Sequence, residues 1–220
     1  MSRRGPRIHD YAGGEFMLAY GETSGPQLLV LQPLFEEMSR CRVLIASVCR
    51  MLADSGIGCW LPDLPGTGES PRGLETIRWS DWWSAVQEAA TVIEGETGRP
   101  PAIAAFRGGA LLDRAIAAPA WRLAPTSGRS LLSDLRRSAI ASGSDPAHPA
   151  GYTLSPDLAE ALAAADAETS PAARTVRLAT DDRPADARIE GLPLWRRPEP
   201  DFDAATAETI ARDIADWIGT

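Results

Sequence analysis

The sequence predicts an α/β protein: a mostly parallel β-sheet with helices on both faces and an antiparallel hairpin at its N-terminus. Three observations point there. Segments with strand and helix patterning alternate along the 220 residues. The run QLLVLQ (27–32) is almost wholly apolar, as in a strand covered on both faces. In AIAAFRGGALLDR (102–114), a short apolar strand breaks into a helix through a turn of small residues.

The elements follow in order. RIHDYAGGEFMLAYGE is the hairpin, with Gly13 and Gly14 at its turn. After the strand at 27–32, SRCRVLIASVCRMLADSG has helical periodicity and stops at Gly56, a residue suited to the left-handed end of a helix. IGCWLPD (57–63) is the next strand. SDWWSAVQEAATVIEGETG is a helix with Ser80 as its expected N-cap and Trp82, Val86, Ala89 and Ile93 in one apolar stripe. WRLA (121–124) is a strand, and a helix is expected over 130–142. The Ser-, Pro- and Gly-rich SGSDPAHPAGY is a loop. Ser155 then caps a helix that has Pro156 in its first turn. RTVRLAT (174–180) is a strand, and DAATAETIARDIADWI closes the chain with Ala207, Ile210, Ile214 and Trp217 on one face. Residues 181–202 are Pro-rich and weakly patterned, and no element is assigned to them. One domain over 1–220 is expected, long enough to bury roughly 70% of its unfolded surface.

Composition narrows the function. A net charge of −8 disfavours nucleic acid, whose binding rests on basic groups releasing counterions from phosphate. The basic start MSRRGPRIHDYAGG has no apolar stretch behind it, so no signal peptide is expected, and no window is long enough for a membrane span. Three cysteines, Cys41, Cys49 and Cys59, neither complete a disulfide framework nor show metal-ligand spacing. A cytoplasmic protein without a cofactor or metal is expected. The tryptophans of RWSDWWSAV are read as packing a helix onto the sheet.

The chemistry turns on residues 105–109. Ala105-Phe106-Arg107-Gly108-Gly109 has the small-x-nucleophile-x-small spacing of a nucleophile elbow, with arginine where serine would stand. Arginine cannot attack a carbonyl. LPDLPGTGES (61–70) ends a strand in Asp63 and continues as D-x-x-G-x-G-x-S. LQPLFEEMSRCR (31–42) sets Leu34 and Phe35 in the loop that would supply an oxyanion-hole amide, with Glu36 and Glu37 next.

With LAPTSGRSLLSDLRR (123–137) and AGYTLSPDLAEAL (150–162), these segments occur in an order that resembles the exosortase A system-associated hydrolases, type two. That family lies within the α/β-hydrolase superfamily and accompanies bacterial PEP-CTERM sorting and exopolysaccharide systems. The likeness runs from about residue 26 to 165, and the family is similar in having Arg at the elbow. It implies an α/β-hydrolase fold with a minimal cap or none. The Ser-His-Asp order of that superfamily finds no serine in G-x-S-x-G context. The two histidines, His9 and His148, fall in the hairpin and in a loop, neither after the last strand.

Arg107 at an elbow is expected at positive φ beside the start of a helix. Its expected partner is a carboxylate, Glu36 first, with Glu37 and Asp63 as alternatives, or else a small anionic or acyl ligand. Leu34, Phe35, Gly108 and Asp63 are the expected ligand contacts. Arg129, Arg136 and Arg137 with Ser127 and Ser130 are read either as a polar wall for an anion or as a solvated helix face. Two functions stay open: a noncatalytic accessory or ligand-binding protein, or an esterase or thioesterase with Glu36 or Glu37 as base and Arg107 at the oxyanion. A plain interaction module that pairs with itself, a homo-oligomer, is a third, and no sequence pattern specifies it.

Overall fold

Strands β1 (Arg7–Tyr11), β2 (Glu15–Tyr20), β3 (Gln27–Leu31), β4 (Gly58–Pro62), β5 (Ala102–Phe106), β6 (Ala120–Leu123), β7 (Ala173–Leu178) and β8 (Ala187–Ile189) form one sheet in the spatial order β1-β2-β4-β3-β5-β6-β7-β8. The hairpin β1–β2 is antiparallel and meets β4 antiparallel, while β4 through β8 run parallel. This computed structural model describes residues 5–142, 151–167, 172–197 and 199–219. The loop expected around His148 lies largely outside them.

The alternation of β3 explains how the sheet is covered. Leu28 and Val30 point to one side, toward α1 (Glu36–Asp54) and α5 (Ala204–Ile218), and join Leu44, Ile45, Val48, Ile210 and Ile214. Leu29 and Leu31 point to the other, toward α2 (Trp79–Thr97), α3 (Gly128–Ser142) and α4 (Pro156–Ala164). The predicted stripe Trp82, Val86, Ala89 and Ile93 is buried there, and the Trp82 indole donates to the Pro65 carbonyl at 2.8 Å. Trp79 and Trp83 are only half-buried. Cys41, Cys49 and Cys59 are buried free thiols.

Three expectations change. Ser80 does not cap α2: the helix begins one residue earlier, and the Arg78 amide donates to Asp81 Oδ2 at 2.8 Å, so an acid in the first turn does the capping. The segment 181–202 carries β8 and a 3-10 turn (Leu194–Arg196), with Leu194 and Trp195 buried. The elbow does not open into an α-helix. Residues 107–119 return to the start of β6 through 3-10 turns at Arg107–Leu111 and Asp113–Ala115. A 3-10 turn rises about 2.0 Å per residue against 1.5 Å in an α-helix, so it covers the return in fewer residues. Arg122 of β6 ties this short crossover down, donating Nε and Nη2 to the buried Asp113 carboxylate at 2.5 and 3.0 Å.

Because β3 to β8 are parallel, the segments that follow them gather at the carboxyl edge of the sheet, where such folds bind ligands. Gly109 lets two of those segments touch. A Cβ on it would stand 2.4 Å from the Leu31 carbonyl oxygen and 2.5 Å from that of Gln32. Gly109→Ala is therefore expected to cost about 1–3 kcal/mol or more by overpacking. A Gly95→Ala control, which meets nothing within 4 Å, is expected to retain full stability by urea denaturation.

Candidate functional site

Arg107 directly follows β5 at φ 54°, in the left-handed region expected for it, and is 6% exposed. Its guanidinium donates Nη2 to Glu37 Oε1 at 2.8 Å, Nε to Glu37 Oε2 at 3.1 Å, and Nη1 to the Ala124 carbonyl at 2.8 Å. The Trp195 ring lies over it, 4.9 Å from Cζ to the ring centroid. Four segments meet on one side chain: the end of β5, the first turn of α1, the residue after β6, and the turn after β8. Among the described residues four non-glycines have positive φ, and Phe35, Arg107 and Ala124 all belong to this cluster. Each such residue costs on the order of 1–3 kcal/mol, so the strain is concentrated where the ion pair can hold it.

The partner of Arg107 is Glu37, not Glu36. Successive residues of a helix turn by about 100°, which separates the two carboxylates. Glu36 faces Arg40 at 3.7 Å and Tyr152, whose phenol is pushed up to about 12, first by burial and then by the Glu36 carboxylate. Phe35 precedes α1 at φ 58° and packs edge-on against Tyr152, with ring centroids 5.5 Å apart. Gly108 faces protein rather than open space: a Cβ there would lie 2.7 Å from Leu131 Cδ1. The helix N-terminus expected next to Arg107 is absent, since only a 3-10 turn follows it.

Asp63 stands apart from this cluster. Its Oδ2 accepts from the Glu69 amide at 3.0 Å, and it borders a separate groove with Phe16, Leu18 and Gln32. Burial pushes its carboxyl above the ordinary carboxylate pKa, against the Glu69 amide, which lowers it. The described histidine, His9, packs on Trp60 at 4.8 Å in the hairpin, and His148 lies outside the described residues.

Beside the Arg107–Glu37 pair is a cavity of about 380 Å³. Leu34 and Phe35 line it from the loop after β3, Leu131 and Leu135 from α3, Arg40 from α1, and Trp195 from the turn after β8. Arg137 and Asp134, a paired couple on α3, also reach it, so this part of the expected polar wall does face the site although Arg137 is exposed. Trp195 and Arg40 were not among the expected site residues. The signal for Trp195 was an apolar island, LPLW, inside a Pro-rich stretch.

The overall fold has counterparts among solved structures. DcsB, in complex with its substrate analogue, superposes with a TM-score of 0.60 over 97% of both chains at 12% identity. A protein of Agrobacterium vitis S4 named as a hydrolase gives 0.57 over 98% of this chain and all of that one, at 13% identity. The fold is the α/β-hydrolase fold. Likeness at these identities carries the fold and nothing of the chemistry. The match to the epoxide hydrolase VrEH1 of Vigna radiata covers 56% of this chain and spans only 39% of that one, at 16% identity and a TM-score of 0.43. No family model matches the chain, and no curated protein does. No helix among the described residues is long and apolar enough to cross a membrane.

Breaking a buried ion pair from one side strands the other charge, which typically costs about 3–5 kcal/mol, whereas an apolar pair of similar volume is often tolerated. Glu37→Leu and Arg107→Met are each expected to lose that much in urea denaturation, and the double variant less than their sum. For Asp63 the sign runs the other way from a salt-bridged acid. A raised folded pKa favours the native state below the ordinary carboxylate pKa, and that advantage disappears as pH rises through the raised value. Asp63→Asn is thus expected to flatten the pH dependence of the melting temperature just above pH 4.

Proposed function

We propose that this protein is a noncatalytic α/β-hydrolase-fold protein that holds a small ligand in the cavity at the carboxyl edge of its sheet. One observation carries the reading: the group at the elbow and the carboxylate nearest to it neutralise each other. Both Glu37 oxygens accept from Arg107, so that carboxylate is occupied as an ion-pair acceptor rather than poised as a base. The guanidinium is shared between Glu37, the Ala124 carbonyl and the Trp195 face, leaving it poorly placed for a developing oxyanion. Glu36, the other proposed base, is held by Tyr152 and Arg40.

The sequence segments that resemble exosortase-associated hydrolases support an accessory role beside such a sorting or exopolysaccharide system, in the cytoplasm. In that role the scaffold supplies a shaped pocket and rigid strand ends, and the partner enzymes supply the chemistry.

A panel of short- and long-chain oxyesters and thioesters tests the noncatalytic reading, using wild type beside Arg107→Ala and Glu36→Gln. No turnover above buffer is expected from any of the three. Wild-type turnover that falls 100-fold or more in either variant would overturn the reading and establish the hydrolase alternative.

A further inference from the structure

We infer that the groove between the N-terminal hairpin and α1 binds a small organic monocation, a primary alkylammonium, with its ammonium on Asp63 and its chain on the apolar face of β2 and β4. This groove is separate from the cavity beside Arg107, so the inference stands apart from the ligand-binding reading above. Its volume is about 340 Å³, at the low end of the ~300–1,000 Å³ range of small-molecule sites. The surface is mostly apolar. Leu18 and Leu61 are cross-strand partners and so share a face with Phe16, while Met38 and Ala46 of α1 form the facing wall. Ile8 and Phe16 on the same groove are 70% and 38% exposed, so apolar side chains stand in water there.

Charge gives the class of ligand. The charged groups on the groove are Asp63, Glu69 and Arg42. Two acids against one base leave it one charge negative, in a chain of net charge −8, and a monocation is the complement. The three are not equally in need of a partner. Glu69 and Arg42 are exposed, and water satisfies them. Asp63 is only half-exposed, accepts the Glu69 amide on Oδ2, and has no cation within ion-pair distance among the described residues. Burial raises its carboxyl pKa, and the more distant Arg42 offsets that only in part. The carboxylate is also held in place. The Asp63 amide donates to the Phe16 carbonyl at 3.0 Å, and the Tyr11 hydroxyl donates to the Asp63 carbonyl at 2.5 Å. Gly68 backs the carboxylate, since a Cβ there would stand 2.4 Å from either oxygen. A fixed acid beside an apolar wall attracts an ammonium more strongly than one in open water does.

Titration calorimetry on the full chain with hexylammonium chloride, 1-hexanol and sodium hexanoate tests this. Hexylammonium is expected to bind saturably, at least tenfold more tightly than the other two. Asp63→Asn keeps an acceptor for the Glu69 amide and removes the charge. It is expected to weaken hexylammonium about tenfold and to leave hexanol unchanged. Arg42→Gln, an exposed position on a different element, removes the competing cation and is expected to tighten hexylammonium about threefold. Hexanol binding as tightly as hexylammonium would reduce the groove to an apolar surface and overturn the assignment. Hexanoate binding as tightly would transfer the site to Arg42 and overturn it too. Absence of saturable hexylammonium binding, or affinity unchanged in both variants, would do the same.

Discussion

The buried bidentate pair between Arg107 and Glu37 is the constraint around which the carboxyl edge of the sheet is organised. Taking two charges out of water costs several kcal/mol each, and their attraction returns that only when geometry and further hydrogen bonds are good. Here they are, through the Ala124 carbonyl and the Trp195 face. Such a pair contributes less to net stability than to position, since neither partner can shift without stranding the other. It holds the first turn of α1 over the end of β5, and the loop carrying Leu34 and Phe35 stays with it.

That fixity lets the site tolerate an unusual density of backbone strain. Phe35, Arg107 and Ala124 sit at positive φ within one cluster, and none is glycine. The short crossover after the elbow adds a second buried pair, Asp113 with Arg122, at the far side of the same segment. Between the two pairs every residue from Arg107 to Asp113 is buried. A stretch that in a hydrolase opens a helix and exposes a nucleophile is here a compact plug with an ionic anchor at each end.

The fold was readable because its signals are local and periodic. QLLVL is apolar at each position but its first, Gln27, and is buried at every position; the stripe from Trp82 to Ile93 repeats with a helical period; Ser155 accepts from the Leu158 amide as an N-cap should. The elbow spacing predicts Arg107 at positive φ, and a carboxylate from the segment after β3 is one of the two kinds of partner it allows, a small ligand being the other. Other features escaped for identifiable reasons. Whether Glu36 or Glu37 meets Arg107 depends on the rotation of α1 about its axis, which adjacent identical residues cannot encode. Ser80 is not the cap because the helix already starts at Trp79, which puts Ser80 inside the first turn, while Asp81 accepts from the Arg78 amide. The missing helix after the elbow is a matter of path length, since the apolar pattern of ALLDRAIAA fits a helix well.

By itself, then, the sequence determined the alternation of elements, the faces they bury, and the absence of a nucleophile at the elbow. These depend on residue type and on spacing within a single element, where side-chain chemistry and backbone period act together. Only the tertiary structure decided which carboxylate neutralises Arg107, that Trp195 closes over it, and that Asp63 belongs to a different groove. Trp195 lies 88 positions beyond Arg107 in a stretch with no period to read. Contacts of that kind are set by where parallel strands deliver their ends, and a linear sequence carries no local mark of that meeting.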